Sequence, residues 1–196
     1  MTTTLEESAR LAGSHVWLER RLFEILGAWV PTTPEPDAKL LFDRHSSHHA
    51  WRAQQWFDRL PFLADVDRET LAVPPGPAPA RPPTDPPDRH DPVGPDRPAG
   101  LDRALDRLAG LDGTAARLAG AYRFALPRLW SGYERHRTAA GATADGSSLR
   151  TLGLVIPDVT SDWQEGEALL QHLLVDRDVI SAASAAVAAL ESALLE

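Results

Sequence analysis

Cysteine is absent from the 196-residue chain, which excludes disulfide scaffolds, thiolate catalysis, zinc fingers and cysteine-ligated iron–sulfur clusters. Lysine is nearly absent too: of the 20 basic residues all but Lys39 are arginine, and they are scattered. With a net charge of −8, this argues against nucleic acid or an anionic membrane as a main partner. No run approaches 18 uninterrupted apolar residues, and the N-terminal Met-Thr-Thr-Thr-Leu-Glu-Glu has neither the basic start nor the apolar stretch of a secretory signal, so the expected address is cytoplasmic. Strand-like alternation is missing as well. What remains for chemistry is 7 histidines, the carboxylates and 2 tyrosines.

A hydrophobic share of 43% and a charged share of 24% fit one folded domain over residues 1–196. The stretch 73–100 holds 11 of the 17 prolines and can be neither helix nor central strand, so it is expected to be an extended connector. Elsewhere apolar residues recur at three and four, the helical period. Helices are expected over 4–30, 37–60, 114–139 and 147–175, with a short piece at 101–109 and an Ala-rich one at 178–195; 61–72 is poorly defined. Asp37, Thr114 and Ser147 or Ser148 are the candidate N-caps, and Pro127 and Pro157 should kink or break their helices. Short loop, long connector, short loop is the grammar of an all-α four-helix bundle with one crossover, in which the third long helix runs parallel to the second. The Ala-rich C-terminal helix should dock on the bundle or on a second subunit, making a homo-oligomer.

Some inward positions are polar. At 100° per residue, the apolar arc of the first helix holds Leu11, Ala12, Val16, Leu18, Leu22, Phe23, Ile25, Leu26 and Trp29, with His15 and Glu19 at its centre. A carboxylate there must be paired, hydrogen-bonded, protonated or bound to metal. The second helix repeats the pattern: His45 and His49 interrupt an inward stripe of Phe42, Ala53, Trp56 and Leu60, with His48 at its edge and Ser46 on the other side. In the third, Leu118, Tyr122, Ala125, Leu129, Tyr133 and His136 share one stripe. In the fourth, Leu152, Val155, Val159, Trp163, Gly166, Leu170 and Leu173 do, flanked by Asp162 and Glu167, while Asp158 and Glu165 project outward. Counting heights at about 1.5 Å per residue brings Glu19, His48, His49, Tyr122 and Asp162 to one level at mid-bundle, a candidate metal site.

This layout over residues 5–175 resembles the ferritin-like superfamily, with Glu19 at the carboxylate position of the first helix and His49 at the histidine position of the second. The strings His15-Val16-Trp17-Leu18-Glu19-Arg20-Arg21-Leu22-Phe23-Glu24 and Asp162-Trp163-Gln164-Glu165-Gly166-Glu167 are similar to those of uncharacterised ferritin-like proteins from high-GC actinobacteria. The resemblance implies a bundle enzyme using iron or another divalent transition metal, acting oxidatively on a small organic substrate. Glu19, His45 and His49 would be ligands, His15 a ligand or a neighbour that orients one, and Asp162 a further ligand. Tyr122 would be a hydrogen-bond donor or redox neighbour. The chain lacks the family's Glu-x-x-His pairs in the second and fourth helices and an inward Glu in the third. A second reading is therefore a bundle without metal, a structural or small-molecule-binding module in which Glu19 bonds His49. The DinB-like four-helix metalloenzymes are a third, although their late His-x-x-x-His pair is missing.

Overall fold

The computed structural model describes residues 5–62, 67–75, 100–141 and 145–195, and every regular element among them is helical. Helix α1 spans Leu5–Trp29 and closes in a 3-10 turn, Val30–Thr32, where Pro31 cannot extend the α-helical ladder. Helix α2 spans Pro36–Phe57. Its N-cap is Glu35 rather than the expected Asp37, because Pro36 fills the first helical position, where no backbone donor is needed. A 3-10 turn at Arg68–Leu71 lays the Leu71 carbonyl against Gly13, where any Cβ would collide with it. Beyond residue 75 the expected proline connector, as far as residue 99, lies outside the described residues.

Helix α3 (Gly100–Ala109) matches the expected short piece, and α4 (Thr114–Ala119) continues through a π-helical segment, Gly120–Ala125, into α5 (Leu126–Ala139). Pro127 therefore does not break the rod. In a regular α-helix its ring would meet the carbonyl four residues back. The wider turn, in which Leu126 N–H donates to Ala121 O, accommodates it. Thr114 is not the cap; Gly113 is, at φ 79°, a left-handed conformation suited to glycine. Helix α6 (Gly146–Leu173) starts from Asp145, ahead of the expected serines, and runs unbroken through Pro157.

Pairings along the helices fix their directions. Trp29 with Phe42 and Glu19 with His49 make α1 and α2 antiparallel. Glu35 with Thr114, His45 with Tyr122 and Trp56 with His136 make the α4–α5 rod parallel to α2. Arg44 with Glu165 and Arg52 with Asp158 run α6 antiparallel to α2, and Arg123 with Glu167 and Trp130 with Trp163 do the same against the rod. The predicted stripes are buried except at Phe23 and Trp163, with Leu11 and Leu173 partly exposed. Phe23 is 44% exposed, and Ser46 is buried instead, its hydroxyl donating to the Phe23 carbonyl at 2.9 Å. In α6, Asp162 is buried and Trp163 only partly so, the reverse of the predicted order.

Helix α7 (Arg177–Leu195) docks within the chain, burying Ala183, Ala186, Leu190 and Ala193 against α3 and α4. Among the described residues it is also the one helix long and apolar enough to cross a membrane, by length and composition. One glycine sets the position of a site residue: at Gly166 the flat face of α6 takes the Tyr122 ring, and a Cβ there would fall inside it. Gly166→Ala should cost about 1–3 kcal/mol in urea unfolding, the usual range for overpacking, and should displace Tyr122. An unchanged midpoint would show that the ring moves aside freely.

Candidate metal centre

Helix α2 carries His45, His48, His49 and Arg52 within two turns, and all but His48 are fully buried. Such a line folds inward only because the facing helices answer it with carboxylates and phenols. Two clusters result.

In the first, Glu19 of α1 accepts from the His49 Nδ1–H and the Tyr133 hydroxyl, and from Arg52 Nε at 2.9 Å. Burial by itself would raise the pKa of this carboxyl; Arg52 and the His49 and Tyr133 donors outweigh it and hold the group below its ordinary range. Arg52 extends the cluster across the core, donating from Nη1 to Asp162 Oδ2 at 2.8 Å and to Asp158 Oδ2 at 2.5 Å. Burial opposes its charge, but Glu19 and Asp162 more than offset that and raise its pKa.

In the second, His48 Nδ1 lies 2.7 Å from Asp162 Oδ1, and His45 Nε2 lies 3.4 Å from the same oxygen. The other ring nitrogen of His45 is 2.8 Å from the Tyr122 hydroxyl. Glu165, paired with Arg44, brings Oε2 to 3.5 Å from His45 Nε2. Burial pushes the His45 pKa down to about 4, against the pull of Asp162. Asp162 itself is lowered, since His45 and Arg52 outweigh its burial, and burial raises Tyr122 well above a normal phenol.

His45 Nε2 is buried and has no hydrogen-bond partner among the described residues. Neither neutral tautomer repairs this. With the proton on Nδ1, donated to Tyr122, the Nε2 lone pair faces the Asp162 carboxylate. With the proton on Nε2, the buried N–H faces Asp162 Oδ1 at 3.4 Å and Glu165 Oε2 at 3.5 Å and bonds neither. A cation would satisfy the lone pair, Asp162 Oδ1 and His48 Nδ1 together. The donor atoms of His45, His48 and Asp162 lie within 4.8 Å of one another, and the three could hold a metal ion.

Of the sequence-derived candidates, then, His45 and Asp162 stand in this group, and Tyr122 orients His45. Glu19 and His49 stand beside it, tied to each other and to Arg52. His15 lies further along the bundle, its Nε2 3.1 Å from His136 Nδ1, with its ring tilted against Trp56 and edge-on to Tyr133. Sequence reasoning passed over Arg52, although it shares the stripe of His45, His49 and Trp56, because arginine is ordinarily a surface residue. His48 was placed at the edge, and the 37% exposure of its side chain agrees; what recruits it is buried Asp162. No protein-family model, curated protein or solved structure matches the chain.

Proposed function

We propose that the chain is a ferritin-like bundle that binds one divalent transition metal ion through His45 Nε2, His48 Nδ1 and Asp162 Oδ1, and that it acts as a non-haem iron oxidoreductase on a small organic substrate. The observation that carries the metal site is the unpartnered, buried His45 Nε2 beside two further ligand atoms. The helix directions and the long connection between α2 and α3 support the ferritin-like layout. Two imidazoles and one carboxylate are a donor set that would hold iron(II), which would supply oxidative chemistry there. Around it, Tyr122 accepts from His45 Nδ1–H and so leaves Nε2 free to ligate, while Arg52 holds Asp162 by its other oxygen. The exposed edge of His48 is the side from which a small substrate reaches the centre.

A metal-free module has one observation in its favour: Arg52 bridges Glu19 and Asp162, so Glu19 is saturated without any ion. Metal analysis of the full chain separates the two. After incubation with Fe(II), Mn(II), Co(II) or Zn(II) and removal of excess, about one equivalent should remain bound. His48→Ala, at a half-exposed position where folding is safe, should weaken binding at least tenfold, since losing an outer partner alone costs about 10–100-fold. Exposed His172→Ala should not. Wild-type protein that retains none of these ions would overturn the metal site and leave the metal-free module.

A further inference from the structure

At the end of the bundle away from the α1–α2 turn, a cavity of about 770 Å3 opens between α1, α5 and the last turn of α7. Its size is that of a small-molecule site. The metal-ligand group is not part of it: the lining includes His15 and His136, whereas His45, His48 and Asp162 are absent from it.

Its lining is of two kinds. Leu11, Leu101, Leu129 and Leu194 make apolar walls. Against them stand three arginines and one carboxylate, Glu7. Arg128 is already engaged, by Glu191 at 2.5 Å and the Phe124 carbonyl at 2.8 Å. Arg10 and Arg135 make no ion pair among the described residues; the hydrogen bond of Arg135 goes to the neutral Ser131 hydroxyl. On the floor, the Ser14 hydroxyl and His136 Nε2 are buried without a partner among the described residues. Two guanidiniums without an ion pair among the described residues outnumber the single carboxylate, and with the Ser14 hydroxyl below them free to donate they attract an anion, while the leucines exclude water from whatever that anion carries.

We infer that this cavity is a binding site for an amphiphilic monocarboxylate, its headgroup on Arg10 and Arg135 and its apolar body against the leucines. The site is independent of the metal, so either can stand if the other fails. A neutral amphiphile lacks the headgroup contact, and a bare anion lacks the apolar one.

Calorimetric titration of the full chain with sodium decanoate below its micellar concentration tests this. About one decanoate per chain should bind, with 1-decanol and acetate each at least tenfold weaker. Arg135→Ala, an exposed position, and Arg10→Ala should each weaken decanoate at least tenfold and leave decanol unchanged. Gly132 lines the cavity, and a Cβ there is in ordinary contact with His15 Cε1 at 3.7 Å and Arg135 Nη2 at 3.8 Å, so Gly132→Leu places its side chain in the cavity and should abolish binding of every probe while far-UV dichroism stays the same. Decanol binding as tightly as decanoate, indifference to both arginine substitutions, or binding that survives Gly132→Leu would each overturn the assignment.

Discussion

Arg52→Met should lower the unfolding free energy by about 3–5 kcal/mol, the loss found when one partner of a buried ion pair is removed and the other stays. Arg52 and Glu19 are both fully buried, so neither charge has water to fall back on. Without the guanidinium, Glu19 keeps only His49 and Tyr133, and Asp162 loses the donor to its Oδ2. Arg52→Lys should recover little, since a single ammonium cannot reproduce a planar fork that reaches Glu19, Asp158 and Asp162 at once. Removing both partners is a different case. Glu19→Met combined with Arg52→Met should cost clearly less than the sum of the two single changes, because no uncompensated charge stays behind. Urea unfolding of the four proteins closes this cycle, and additive losses would show that the two groups do not stabilise each other.

How far the site could be read in advance depends on the helix. In α1 and α2 apolar residues flank the polar ones on both sides along one face, so the inward direction of Glu19, His45 and His49 follows from periodicity alone, and all three are fully buried. Arg52 obeys the same period, but an arginine on such a face ordinarily extends its charged head to water, so periodicity alone does not mark it as buried. Helix α6 is less legible. Its stripe is broken by Gly166 and Pro157, and a rotation of about one residue exchanges Trp163 for Asp162. The rod shows a third kind of difficulty. The rod and α2 start from the same end, where Thr114 meets Glu35, and Tyr122, about two turns on, stands level with His45 and not with Glu19. Tyr133, three turns further, is the phenol that reaches Glu19. The π-helical segment that carries Tyr122 has no periodic signature; Pro127 just beyond it is its only mark in the sequence, and a proline there reads equally well as a break. The candidate His45–His48–Asp162 group depends on two helices in register across the core, which no single stripe reveals.

Acid should begin to destabilise this protein before its carboxylates titrate, and the pair His15 and His136 should carry part of the loss. Burial lowers both pKa values, for His15 with the added repulsion of His136 and Arg135, and for His136 against the weaker pull of Asp145. In the fold the two rings share one hydrogen bond and stay neutral, packed against Trp56; in the unfolded chain each protonates near pH 6.5. Below that pH the unfolded state therefore binds more protons, so stability is fully present above pH 6.5 and declines as the pH falls toward the lowered folded values. Each ring that stays neutral contributes up to about 1.4 kcal/mol per pH unit to the decline, and the two together up to about twice that. Urea unfolding at intervals from pH 7.5 to 5.0 measures the slope. Replacing both rings, as His15→Phe with His136→Phe, keeps the aromatic stack, removes both titrating groups and leaves the other buried histidines in place. The slope of that variant should be flatter than the wild type's by an amount approaching the paired contribution. Equal slopes for the two proteins would mean that His15 and His136 take up their protons in the folded state, and the neutral pair at the floor of the cavity would have to be given up.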